Sequence, residues 1–263
     1  MRTAQGGKVY STFFYIETRF PESAPIDRFV LDDDLCFGNF VRSFKNMAVE
    51  GQLIFDRPGK IDFASIQTLD RPPPDLVQKH PFIHFGNVFI SPEGSNSSLK
   101  VAPPFNADFS KFRKLPNEEN THHVTRAVAK SGTFGMFEAP TWRNISSCSG
   151  YRVPYAINPD RDSNGAGLVY FANYFAFMDF ADRKAMSENS KRDFMRSEID
   201  SRALRHRKTC YLGNVNLDSS IEVEVDIFED EARPEQIGFR YKIFRQSDQA
   251  LICLSEAIKV LAR

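Results

Sequence analysis

The 263-residue chain has one tryptophan, Trp142, four scattered cysteines and no net charge, with 34 Lys plus Arg against 34 Asp plus Glu. That balance argues against wholesale binding to nucleic acid or to a membrane surface, although local basic patches remain open. Cys36, Cys148, Cys210 and Cys253 form no CxxC pair and meet no His at metal-ligand spacing, so no metal site is expected. They fit reduced thiols and a cytoplasmic location. No apolar run approaches the ~18 residues of a membrane span. The N-terminal MRTAQGGKVYS has no apolar signal core, so a soluble protein is expected. What is abundant is Phe, 25 residues. It implies thick aromatic packing, either an ordinary core or one shaped around an acyl-sized pocket.

β-branched and aromatic runs predict strands over 8–20, 35–47, 48–57 and 61–69, the last stopped by DRPPPDL, because proline supplies no ladder donor. Residues 70–145 read as a long connecting segment, ordered in part by FIHFGNVFI (82–90). So long an irregular stretch needs a use, such as covering a sheet or lining a pocket. A strand is predicted over 151–159. A helix follows over 168–188, with Tyr170, Tyr174, Phe177, Met178, Ala181 and Ala185 on one stripe and Phe171 and Phe175 widening it. SENSKRDFMRSEIDSRALRHRK reads as a polar, basic helical link. Strands then resume over 209–217, 220–230, 236–246 and 250–262. In the second of these, Ile221, Val223, Val225 and Ile227 share one face.

The two ends repeat each other. LDDDLCFGNFVRSF (31–44) lies over LDSSIEVEVDIFED (217–230), with an aromatic strand before each and two more strands after. This predicts two copies of one unit: residues 1–145, with a connecting segment, and residues 146–263. Only the second copy has a front of strand, Gly-rich loop and aromatic helix. The first sheet therefore needs shielding by 70–145 or by the other unit.

Strand, loop, buried helix and four-strand meander form the hot-dog layout. NGAGLVYFANYFAFMDFAD is similar to the helix start of hydroxybenzoyl-CoA-type thioesterases, with their Asp-x-x-Gly-[IV]-[VYF]-[YF]-x-x-Tyr motif. Through INPDRDSNGAGLVYFANYF, CYLGN, GNVFISPEGSNSSL and AKSGTF, most of residues 8–263 resembles the double hot-dog proteins of polyketide pathways, the family of the leinamycin-pathway bifunctional acyltransferase/decarboxylase. The resemblance implies an α+β double hot-dog fold with a long central helix in the second unit. The family's helical segment before KVYSTFF does not stand among these residues, so either the first unit lacks its central helix or the sequence starts downstream of the natural N-terminus. It also implies a malonyl-type acyl group moved or decarboxylated between CoA and an acyl carrier protein, with no tightly bound cofactor. The acyl-CoA or phosphopantetheine thioester is then the substrate. A hot-dog thioesterase and a non-catalytic carrier-protein-binding relative are the alternatives, and a homodimer paired through its sheets stays open.

Thioester chemistry needs donors around the carbonyl or enolate oxygen, and backbone N–H groups at a helix N-terminus supply them. Gly165 and Gly167 would let backbone approach the ligand, or they simply shape the helix entry. On the thioesterase motif, Gly167 takes the motif glycine and Asn164 falls where a carboxylate stands. An amide donates hydrogen bonds but is no base or attacking carboxylate. That favours decarboxylation or transfer over hydrolysis. Asp162 becomes the base if the loop shifts by two residues. Tyr170, Asn173 and Tyr174 on the helix, and Tyr211 and Asn214 in CYLGN, are either core residues or site residues. Tyr10 is the position the resemblance offers as acyl acceptor. Arg202 and Arg207, within RSEIDSRALRHRK, either pair with CoA phosphates or an acidic carrier protein, or form a solvated face. No His lies near the loop, which speaks against dehydration.

Overall fold

The computed structural model describes residues 1–45, 47–92, 99–116, 121–164 and 167–261. The chain forms two compact units, one of Met1–Ser91, Val101–Arg126 and Ala203–Lys208, the other of Pro92–Lys100, Ala127–Arg202 and Thr209–Arg263.

In the first unit, β1 (Tyr10–Arg19), β2 (Cys36–Phe44), β3 (Ala48–Asp56) and β4 (Phe82–Pro92) pair in the order β2-β3-β4-β1, all antiparallel. A short β5 (Leu99–Val101) follows in the chain, and the two-residue β6 (Arg113–Lys114) runs parallel to β2 at its edge. The expected fourth strand over 61–69 is instead a short helix, α1 (Phe63–Ile66). Asp62 caps it by accepting the Ser65 N–H at 3.4 Å. The fourth strand is β4, beyond the prolines and α2 (Pro74–Lys79).

Phe63, Ile66, Leu76 and Val77 pack on Phe40, Ile54 and Phe82 of one sheet face. On the other face, Ala102, Ala107 and Phe109 pack on Val9, Val49 and Phe89. The segment expected to be irregular therefore shields both faces. The same segment also carries α3 (Thr121–Ser131), whose first residue meets the sheet at Gly86. A Cβ on Gly86 would stand 2.4 Å from Phe14 Cζ and 2.7 Å from Thr121 Oγ1, so only glycine allows this approach.

In the second unit, β7 (Trp142–Asn144) and β8 (Arg152–Ala156) both pair with the outer edge of β10 (Ser220–Asp230). Between β8 and the remaining strands come α4 (Pro159–Asp162), the 16-residue α5 (Asn173–Glu188) and α6 (Arg196–Asp200). β9 (Arg202–Tyr211), β12 (Leu251–Leu261), β11 (Gln236–Arg245) and β10 follow in that spatial order. The order matches β1-β4-β3-β2 strand for strand, so the repeat read from the sequence is one of topology. Ile221, Val223, Val225 and Ile227 are buried as their alternation predicts. Tyr174, Phe177, Met178, Ala181 and Ala185 form the buried face of α5.

Two predictions need correcting here. The helix opens at Asn173 rather than residue 168. The basic run over 196–208 is a short helix followed by a strand, not a helical link, because Arg202 and His206 find partners, Asp182 and Glu17, that hold this stretch in the sheet. The fold is the α+β double hot dog, with its long helix in the second unit. All four cysteines are free, and among the described residues no helix is long and apolar enough to cross a membrane.

Candidate functional site

The loop entering α5 is held by one buried carboxylate. Asn158 caps α4 by accepting the Asp160 N–H at 3.0 Å. Asp162, at the end of α4, is only 1% exposed. Its oxygens accept from Asn158 N (2.9 Å), Arg161 Nε (2.9 Å) and Asn173 Nδ2 (3.3 Å), with the Tyr155 hydroxyl at 3.5 Å. Its carbonyl accepts the Tyr170 N–H at 2.8 Å. Arg161 also donates to the Tyr155 hydroxyl. Burial, then the Asp162 charge, pushes the Tyr155 phenol up, so it stays protonated at neutral pH.

Asn164 lies at the surface, where its Oδ1 accepts the Leu168 N–H at 3.2 Å and its own N–H donates to the Leu168 carbonyl at 2.9 Å. Gly167 completes this small loop at φ +80°. Gly165 lies outside the described residues. With α5 opening at Asn173, Gly167 stands upstream of the helix end rather than on it. The N–H groups of Asn173, Tyr174 and Phe175 already donate to the carbonyls of Tyr170, Phe171 and Ala172 at 3.0, 3.3 and 3.1 Å.

A second cluster forms where α5 meets the end of β9. Tyr174 donates to Asn214 Oδ1 at 3.1 Å, and the Val215 N–H donates to the same oxygen at 2.8 Å. With both lone pairs of that oxygen used, the Asn214 NH2 is the group left to act as donor. Tyr211 donates to the Phe171 carbonyl at 3.2 Å, and its ring meets Tyr174 edge-on at 5.3 Å. Arg245 donates to the Asn214 carbonyl at 2.9 Å. Burial holds the Tyr174 phenol far above its ordinary value, making it a donor rather than a base. Tyr170 is 41% exposed, its ring edge-on to Phe171.

The structure thus brings Asp162 and Asn173 together, and separately Tyr174, Tyr211 and Asn214. Tyr10 belongs to the first unit, opposite Ile90 in β1. Arg202 and Arg207 are buried instead of facing solvent.

The reason for Arg202 is a group that sequence reasoning missed. Asp182, fully buried on α5, accepts from Lys259 Nζ at 2.5 Å and from the Tyr241 hydroxyl at 2.9 Å. Arg202 Nη2 stands 2.8 Å from Asp182 Oδ1 as an ion contact whose angle falls outside a hydrogen bond. The available signal was a carboxylate four residues after Met178, inside the apolar stripe.

Sequence reasoning also missed paired acids and histidines in the first unit. Glu17 accepts from His206 Nε2 (2.8 Å), Arg19 (2.9 Å) and the Tyr15 hydroxyl (3.1 Å). Glu50 meets His84 Nε2 at 3.3 Å. Burial alone would raise both carboxyls, but hydrogen bonds from His206, and from His84 and Thr121, outweigh it and hold both below the usual range.

No family model matches the chain, and no curated protein matches it. Among solved structures, it is similar to an acyl-ACP thioesterase from Bacteroides thetaiotaomicron VPI-5482, with a TM-score of 0.51 and 9% identity, over 95% of this chain and 76% of that one. It is also similar to a protein assigned as an oleoyl thioesterase from Lactobacillus plantarum, with a TM-score of 0.53 and 11% identity, over 96% of this chain and 76% of that one. At these identities the likeness establishes the fold and nothing beyond it.

Proposed function

We propose that the chain is an acyl-thioester enzyme whose site lies at the start of α5, acting on an acyl group carried by CoA or by an acyl carrier protein. The favoured reaction is decarboxylation and/or transfer of a malonyl-type group. The observation that carries this reading is the state of Asp162: its carboxylate is already engaged by the Asn158 N–H, Arg161 and Asn173. Hydrolysis needs a base or an attacking carboxylate. The group left there, the Asn214 NH2, is a donor, since the Tyr174 hydroxyl already donates to Asn214 Oδ1. Donors fit an enolate, which forms as carbon dioxide leaves and needs negative charge stabilised at the thioester oxygen. The enolate carbon then takes a proton to give the decarboxylated acyl thioester; in transfer, the carrier thiol adds to the thioester carbonyl and CoA leaves as its thiol, taking up the proton the carrier thiol loses.

Hydrolysis is the second reading, favoured by the thioesterase names of the two structures of similar fold. Incubation with malonyl-CoA or methylmalonyl-CoA and a carrier protein, followed by mass spectrometry, separates the two. A carrier loaded with the decarboxylated acyl group supports the first reading. Free acid with an unloaded carrier supports hydrolysis, and unchanged thioester rejects both.

A further inference from the structure

We propose that a cleft of about 620 Å³ in the first unit binds a carboxylate-bearing hydrophobe, its tail on Phe44, Met47, Val88 and Val101 and its carboxylate between Lys45 and Arg126. This site is independent of the thioester reading and uses none of its residues. The volume falls within the range of small-molecule sites.

One wall is the sheet, where Phe44 ends β2 opposite Ala48, and Ala48 in turn faces Val88 on β4. The opposite wall is the first two turns of α3, carrying His122, His123 and Arg126. The cleft is built rather than incidental, because α3 is tied down at its first residue. Buried Glu50 accepts both the Thr121 N–H (2.6 Å) and the Thr121 hydroxyl (2.7 Å) through Oε1. Gly86 clears the space for that contact.

The charge pattern selects the ligand. The His122 ring stacks on Phe14 at 4.1 Å and 10°, and its burial lowers its pKa, so it is a neutral aromatic wall near pH 7. Lys45 and Arg126 supply the cationic character, Lys45 with its ammonium 5.2 Å from the Phe44 ring centroid. No acidic residue lines the cleft among the described residues. Met47 and Val101 are 36% and 57% exposed, so apolar wall is left uncovered beside two cations. A free acid places its charge directly at the end of its apolar tail and matches that spacing. An acyl thioester has a neutral carbonyl there and its phosphates a full pantetheine away.

Calorimetric titration of the full chain with decanoate, decanol and decyltrimethylammonium at one ionic strength tests the site. Decanoate is expected to bind at least about tenfold more tightly than decanol, a difference of about 1.4 kcal/mol. The Lys45→Ala/Arg126→Ala double variant, at partly exposed positions, should erase that preference. Met47→Trp, which fills the cleft from its exposed side, should weaken decanoate about tenfold or more with the melting curve unchanged. Asn214→Ala should leave decanoate binding intact whatever becomes of thioester turnover. Equal affinity for all three probes, no binding of decanoate, or a preference surviving in the double variant would overturn the proposal.

Discussion

In the second unit, the end of β9 with β12, β11 and β10 forms a sheet that packs against a 16-residue helix, and the Asp182 charge on that helix's buried face is met by Lys259 and Arg202 and hydrogen-bonded by Tyr241. In the first unit, β1, β4, β3 and β2 repeat the strand order, but short helices, the 102–109 segment and the pairs Glu17–His206 and Glu50–His84 occupy the faces. One strand order therefore tolerates two fillings. What both keep is partners for buried carboxylates, Glu17 and Glu50 in one and Asp162 and Asp182 in the other, as burial of charge demands.

Breaking the charge network of the second unit should have the largest effect. Asp182→Ala leaves Arg202 buried without its counter-ion and Lys259 with Asp179 alone, and should cost about 3–5 kcal/mol, read from urea unfolding. Acid should break the comparison from the other side. The carboxyls of Glu17 and Glu50 lie below the usual glutamate value of 4.5 in the folded chain. Their contribution is present above about pH 4.5 and is lost as the pH falls through the folded values. In the second unit, burial raises the carboxyl of Asp226, whose contribution is present at low pH and lost as the pH rises through its folded value. Trp142, edge-on to Phe137 in the second unit, reports on that unit alone. Circular dichroism should therefore change at a higher pH than Trp142 fluorescence as acid is added. Coincident transitions would remove the distinction.

Smaller effects come from one glycine in each unit, Gly86 in β4 and Gly167 in the loop before α5. Gly86→Ala forces Phe14 and Thr121 away from the sheet and should cost about 1–3 kcal/mol in thermal unfolding. Gly167→Ala meets nothing within 4 Å, so its cost is the left-handed backbone alone, about 1 kcal/mol.

The parts legible in the sequence were those with a strong period. The α5 stripe and the β10 alternation led directly to buried faces, and the two aligned segments led to matching strand orders. Ile61, Phe63 and Ile66 misled because their spacing suits a short strand as well as a turn of helix. Asp62 at the cap and the later β4 decide for helix. The basic run was misread because nothing local marks Arg202 or His206 as buried. Their partners, Asp182 and Glu17, lie far off in the chain, and strand formation there follows from tertiary pairing rather than propensity. Asn164 was readable as an amide in place of a carboxylate, but its surface position was not. The three donors that occupy Asp162 come from the loop's own turns and from Asn173, and only the folded chain brings them together.

The most direct test of the account is the turnover of malonyl-CoA by Asp162→Asn, measured per folded molecule as carbon dioxide release. If Asp162 only holds the loop, an isosteric amide should keep turnover within about tenfold of the parent chain, because no proton passes through it. A loss of about 10³-fold or more in a variant that folds normally would make Asp162 the base and contradict the account.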